Sequence, residues 1–519
     1  MKNSASEGAG HDGQFARSGE PSSAPGRRPS LQKAAIALSA GGLIGKVAGI
    51  ARELLLAAGF GTTSVTVAYR LAQTATAIPL NLLTSDSLNS GFLPVHARLQ
   101  VASPQDAESF YRTLQRVLLM ITVCVAAIVF ALAPWISVVL APGLSPDVLR
   151  MTTQMIRVMV LGMPLFVSGA TSSYLGLALG HYRLVSLRST IQNLGLIGGV
   201  AAAWATDRWI FIAWGFTGGC AAYSLSALLY SQKHRLVRGE WRWPGWPEAR
   251  RVLRPFSTVI RGLLLLPVIV QLNEVIERVV ASLVSARTVA ATEFANFVVD
   301  TCITLVAVPL GLAGLASLSR PEDADRRAAA LTPVLLLVGL PVSVILGLHA
   351  PGLVTLLYKR GKFDASSATT TAVLVEGFAA GLWAQLLAYV YTKVYSGTLQ
   401  IRRLVITIAV GMTAGMMTML IAIPTHDALW IGLAGSVYGL VVTIVAGRQM
   451  GVLRILSLWL ARLAPGCLIA IAIAAVLPGA SAGATVLSCA LSVVAWMAYC
   501  MALPPSRHLI RRSFARADD

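Results

Sequence analysis

A chain of 519 residues that is 55% hydrophobic and only 13% charged, with a mean hydropathy of +0.69, is too apolar for a soluble globule and reads as a polytopic membrane protein. Its net charge of +19 does not point to nucleic acid, which needs basic residues gathered on one folded face; here they lie between apolar segments, where topology-setting charges belong. The six cysteines stand singly in apolar stretches, without a CxxC or a Cys/His cluster, and read as small buried hydrophobes rather than disulfides or metal ligands.

Residues 1–33, rich in Ser, Gly, Pro and Arg, predict a disordered cytoplasmic tail. Arg27, Arg28 and Lys33 imitate the basic start of a signal peptide, but the apolar run continues through Lys46 and Arg52, which predicts an uncleaved first span. That span, Leu31–Gly61, carries Lys46, Arg52 and Glu53. Ionisable groups in hydrocarbon are costly and usually face a bundle interior or a water-filled cavity, so this helix is the first candidate for function. Gly41, Gly45 and Gly49 form a ridge of small residues on which another helix can pack closely. Lys46 and Glu53 share a stripe, whereas Arg52 is turned about 100° away and should meet a different neighbour.

Apolar segments of spanning length recur at 67–93, 117–141, 155–180, 188–206, 209–231, 256–285, 289–317, 330–357, 368–396, 403–424, 428–448, 453–477 and 484–503. With the first, they predict an all-α protein of about fourteen transmembrane helices. An even number puts both termini on one side, and the excess of Lys and Arg in the tails and even-numbered loops makes that side cytoplasmic. The densest loop, Lys233–Arg254, reads as a topology anchor beside anionic headgroups and as the link between two lobes. An internal echo supports those lobes. Arg52-Glu53 precedes Ala68-Tyr69 at the same spacing as Glu277-Arg278 precedes Glu293-Phe294, and internal repeats with a site at their interface recur among transporters. The expected division is two pseudo-symmetric six-helix lobes, 34–250 (with the basic linker) and 251–450, an extra helix pair at 451–503, and a basic cytoplasmic tail at 504–519.

Enzyme chemistry is missing. Gly41-Gly42-Leu43-Ile44-Gly45-Lys46 has the wrong spacing for a phosphate loop, lacks the Ser or Thr after Lys, and lies where its N–H groups serve a helix. There is no HExxH, GxSxG, kinase or metal-ligand pattern. His96, His181, His234 and His508 read as solvated loop or tail residues. The remaining charges within spans are Arg70, Asp86, Arg157, Glu274, Glu277, Arg278, Asp300, Glu376 and Lys393; each either lines a cavity, pairs with another helix, or snorkels to an interface.

These residues resemble a family. Gly45-Lys46-Val47-Ala48-Gly49-Ile50-Ala51-Arg52-Glu53, Phe60-Gly61 and Gly91-Phe92-Leu93-Pro94 are similar to the start of the MurJ/MviN lipid II flippases of the multidrug/oligosaccharidyl-lipid/polysaccharide (MOP) exporter superfamily. Ala133-Pro134-Trp135, Ala141-Pro142-Gly143, His181-Tyr182-Arg183 with Asn193, Tyr358–Asp364 and Lys393-Val394-Tyr395-Ser396 continue the match in order to about residue 450. The resemblance implies a two-lobed, alternating-access flippase in the bacterial inner membrane that moves an undecaprenyl-linked, pyrophosphate-bearing saccharide. It places Lys46 and Arg52 on the family's basic positions and Glu53 on the acid beside the second. A pyrophosphate in hydrocarbon needs such cations to replace its water. The expected headgroup site is therefore Lys46, Arg52, Glu53, Arg70 and Arg278, with Glu277, Asp300 and Glu376 as candidates for ion coupling.

The sequence also departs from that pattern. Val67 replaces an acid, Leu80-Asn81 a basic pair, Ser85-Asp86-Ser87-Leu88 the Glu-Gly-Ala-Phe that follows it, and Phe297 a basic residue. These cation losses favour an exopolysaccharide repeat unit over lipid II as the cargo. No cofactor is expected; the membrane potential or a monovalent ion is the candidate drive, and partners are the lipid-linked saccharide, membrane lipids and possible glycosyltransferases or a polymerase of the same pathway. A drug/cation antiporter of the superfamily would need an acid-dominated cavity. A membrane glycosyltransferase or polymerase would need a substantial outer catalytic loop, which the short outer connections do not provide.

Overall fold

The computed structural model describes residues 31–84, 86–236, 265–315, 323–398, 400–477 and 481–507, with Pro247, Arg250, Leu253 and Arg254 of the linker. Most of the N-terminal tail, most of the basic linker and His508 lie outside the described residues, as does the side chain of Asp86. All described elements are helical. They are α1 (Leu31–Phe60), α2 (Ser64–Thr84), α3 (Asp86–Ala102), α4 (Pro104–Leu140), α5 (Pro146–Met159), α6 (Gly162–Ala178), α7 (Arg183–Thr206) and α8 (Ile210–Lys233). After the linker come α9 (Leu265–Val284), α10 (Ala286–Leu315), α11 (Asp323–Leu348), α12 (Ala350–Tyr358), α13 (Ala365–Ala380), α14 (Leu382–Gly397), α15 (Ile401–Leu420), α16 (Ala422–Thr425) and α17 (Leu429–Gln449). The chain closes with α18 (Leu453–Val476) and α19 (Ala482–Ala502).

Eight described helices are long and apolar enough to cross a membrane, and two bent pairs, α5–α6 at 42° and α13–α14 at 56°, raise the number to ten. The expected count of fourteen is not reached on that measure. Helices α2 and α7, which carry the inward-facing arginine and amides described below, fall short among the described residues, and the segments at 34–61 and 256–285 (α1 and α9) lie only partly within those residues. A helix that faces a polar interior has less need of an all-apolar surface.

Helices α1 to α8 pack chiefly among themselves, as do α10 to α17, while α18 and α19 pack on each other and on α11 and α12. The two groups repeat one pattern. In the first, α7 and α8 pair tightly and α8 supports the bent pair α5–α6; in the second, α15 and α17 pair and α17 supports α13–α14. Each bend exposes backbone groups that lipid cannot satisfy, and each is repaired by a hydroxyl from the same relative helix. Thr217 of α8 donates to the Val158 carbonyl at 2.8 Å. Ser436 of α17 accepts from the Gly381 N–H at 2.7 Å and donates to the Gly377 carbonyl at 2.6 Å.

The glycine ridge of α1 meets α7. A Cβ on Gly41 would stand 2.4 Å from that of Ser186, and one on Gly45 2.9 Å from that of Ser189, so the absence of side chains sets how closely the helices approach. His234 is exposed as the sequence suggests, whereas His96 and His181 are less solvated. His96 is buried on α3 with its ring 5.2 Å from that of Phe92, because α3 packs on α4, where Phe92 stacks on Phe110. His181 bonds the Tyr230 hydroxyl at 3.0 Å and lies 5.1 Å from the His234 ring.

Candidate functional site

The charges of the two helix groups meet in one chain of ion pairs. Glu53 of α1 is 1% exposed and accepts from Arg52 on one oxygen and from Arg70 of α2 on the other. Arg70 also faces Glu293 of α10 at 3.6 Å. Glu293 accepts in turn from Arg278 of α9, which bonds Glu277 at 3.4 Å. Polar neighbours complete the set: Arg278 Nε donates to Thr74 Oγ1 at 3.0 Å, Asn296 to Glu277 at 3.0 Å, and Arg70 to Gln73 at 3.1 Å. Thr74 also donates to Glu274 at 3.4 Å. The Arg70 guanidinium lies over the Tyr69 and Phe294 rings at 5.4 and 5.5 Å. A buried charge without a partner is prohibitive; here the acid of one helix group answers the base of the other, so the cluster joins the groups.

Beside this chain lies a cavity of about 290 Å³, lined by Gly45, Lys46, Gly49 and Arg52 of α1, Gln73 of α2, Ser189, Gln192 and Asn193 of α7, and Phe216 and Phe297. Arg52 donates to Asn193 Oδ1 at 2.9 Å, and the Asn193 amide donates back to the Gly45 carbonyl at 3.0 Å. Arg52 is thus held from two sides, by Glu53 and by α7, with 16% of its side chain exposed. Lys46 and Arg52 are the two cations among the lining residues.

The expected site residues separate on this geometry. Lys46 and Arg52 share the cavity, whereas Glu53 turns away from it to hold Arg52 and Arg70. Arg70 and Arg278, expected beside the headgroup, are only 2% and 3% exposed and committed to ion pairs. Their depth follows from the partner acids on neighbouring helices, which make burial affordable. Asp300 is exposed on α10, within electrostatic reach of Lys46 and Glu293. Glu277 borders a second cavity, of about 270 Å³, with Asn273, Phe378 and Tyr438. Glu376 is half-buried on α13 and joins no ion pair among the described residues. Glu293 is the residue that sequence reasoning underused. It appears in the Glu277-Arg278 echo, yet its role as the acid between two arginines depends on α2 and α10 being neighbours. No cluster of three or more His, Cys, Asp or Glu suited to a metal occurs among the described residues.

The α1–α2 turn is joined to the α12–α13 loop. The Lys362 N–H donates to the Ala58 carbonyl at 2.9 Å, Thr62 and Ser367 share a hydroxyl bond of 2.6 Å, and Lys362 lies 5.6 Å from the Phe60 ring. Gly61 and Gly361 have φ of +56° and +57°, and a Cβ on either would meet a carbonyl oxygen of the other strand of chain at 2.3 or 2.2 Å. Asp364 caps α13 by accepting from Ser367 N at 2.7 Å and from its hydroxyl at 2.6 Å; these bonds, with that from Ser366, hold its carboxyl at about 2.

A family model described as the lipid II flippase MurJ matches residues 56–497. Similar curated proteins include a probable lipid II flippase MurJ of Synechocystis sp., 26% identical over 387 residues and covering 68% of this chain and 69% of that protein. Another from Rhizobium tropici is 25% identical over 384 residues, covering 68% of each. Among solved structures, a lipid II flippase MurJ in an inward closed conformation superposes with a TM-score of 0.79 at 14% identity, covering 90% of this chain and 98% of the other. An inward-facing multidrug MATE transporter of the MOP superfamily gives 0.62 at 13% identity, over 81% and 99%. These findings do not support the exopolysaccharide preference. That preference counted cations lost at single positions, whereas the two that line the cavity, Lys46 and Arg52, are ones the chain retains. Family members are transporters and not catalysts, so the chain is a multi-pass membrane transporter rather than an enzyme. By the extent of the family match, the chain belongs to the lipid II flippase MurJ family.

Proposed function

We propose that this protein flips lipid II, an undecaprenyl-diphosphate-linked saccharide, from the cytoplasmic to the outer leaflet of the bacterial inner membrane. The observation that carries the reading is the pairing of Lys46 and Arg52 in one polar cavity, with Arg52 anchored by Glu53 and Asn193. Preorganised cations replace the water that a pyrophosphate must give up on leaving the interface. At about 290 Å³ the cavity lies at the low end for even small ligands. Cargo therefore enters only when the helix groups part.

The two helix groups act as lobes that rock about the ion-pair chain. The loops between α1 and α2 and between α12 and α13 lie on the outer side, and their joined backbone closes that side while the opposite side admits cargo. Arg70–Glu293 and Arg278–Thr74 cross between lobes, so opening exchanges those partners for others or for cargo oxygens. The membrane potential resets the empty carrier, each charge moved through the full field being worth about 2.3 kcal/mol per 100 mV.

Complementation tests the assignment. Cells depleted of their own lipid II flippase should regain growth when this protein is expressed, and Lys46→Ala and Arg52→Ala should each lose that rescue while remaining in the membrane. Failure of the wild-type chain to rescue, despite normal insertion, would overturn lipid II as the cargo.

A further inference from the structure

The first helix group contains another polar cavity, which shares no lining residue with the α1–α7 cavity and is walled by α4, α6 and α8. It measures about 250 Å³ and is lined by Arg112, Arg116, Ser168, Ser172, Ser224 and Ser231 among others, with no Asp or Glu among the described lining residues. Arg116 is 5% exposed. Arg112 is steadied from outside the cavity by Glu108, one turn earlier, at 2.7 Å. The Ser231 hydroxyl is buried and has no hydrogen-bond partner among the described residues. A cavity furnished with guanidinium and hydroxyl donors is suited to a phosphate oxyanion.

Its depth identifies the source of that phosphate. Arg116 is the last charged residue before Val117–Leu140, an uncharged run of spanning length. Ser231 lies two residues from the end of α8, where the basic linker begins. Both therefore stand at the headgroup level on the linker side. The mouth is apolar. Leu228, which lines the cavity, is 53% exposed, beside Leu225 at 56% and Leu229 at 55%. Acyl chains can lie there while the headgroup enters. Basic pockets between spanning helices are a recognised way of holding anionic headgroups.

We propose that the α4–α6–α8 cavity is a binding site for the phosphodiester of an anionic phospholipid, with Arg116 and Arg112 as its cations. The site is independent of the lipid II assignment. It is tested on the purified full-length protein by counting retained lipids in native mass spectra and by thermal unfolding, in mixtures of phosphatidylglycerol and phosphatidylcholine and, separately, with inorganic phosphate. One phosphatidylglycerol should be retained preferentially and raise the unfolding temperature. Arg116→Gln should weaken retention about ten- to a hundredfold, the scale of hydrogen bonds to a charged group, and Arg116→Lys should restore part of it. Leu228→Trp, which obstructs the mouth without touching the buried arginines, should do the same should Arg116→Gln fail to fold. Arg150→Gln, a change at an exposed position of α5, should leave retention unchanged. Equal retention of the two lipids, wild-type retention in folded Arg116→Gln or in Leu228→Trp, or equal stabilisation by inorganic phosphate would overturn the phospholipid site.

Discussion

Lys46 and Arg52, both half-buried, differ from the buried Arg70 and Arg278 in what surrounds them. Arg70 and Arg278 are spent on Glu53, Glu293 and Glu277, whereas Lys46 and Arg52 face a cavity with polar walls. In the proposed mechanism, the cations that hold the helix groups together are thus distinct from those offered to cargo. Glu53 serves both sets, since it orients Arg52 and neutralises Arg70. Glu53→Ala should leave Arg70 buried beside only the more distant Glu293, a loss of about 3 kcal/mol. Thermal unfolding of the purified variant should show that loss, and a Glu53→Ala protein as stable as wild type would mean that the Arg70 pairing contributes nothing.

At the scale of elements, the joined α1–α2 and α12–α13 connections form one unit. Asp364 holds Ser367, Ser367 holds Thr62, and the two left-handed glycines allow the backbones to touch. A disulfide needs side chains already in contact, and the hydroxyl pair at 2.6 Å meets that condition. In a background without other cysteines, the double variant Thr62→Cys/Ser367→Cys should cross-link on oxidation and lose transport. Reduction should restore it. Transport that persists in the cross-linked protein would show that this end need not open.

For the whole molecule, the even number of spans expected from hydropathy puts the tails on one side. Reporter fusions at residue 30 and after residue 507 should both report a cytoplasmic position; opposite readings would overturn the even count. Flipping in proteoliposomes should accelerate with an inside-negative potential if the cationic cavity is what resets. Rates indifferent to potential would remove that part of the mechanism.

Composition and apolar runs determined the all-helical membrane class, and the repeated Arg52-Glu53 and Glu277-Arg278 pairs exposed the internal repeat. These features are local, because hydropathy and spacing are properties of single segments. Short motifs in colinear order pointed to the family and to Lys46 and Arg52. Tertiary structure decided which charges remain available. Arg70, an ambiguous cation in the sequence, is enclosed by Glu53 and Glu293, residues 17 positions before it and on another bundle's helix respectively. It also placed Arg116 in a cavity where the sequence offers only the last charge before an apolar run. A buried charge is defined by its partners, and partners on separate helices become neighbours only when the chain packs.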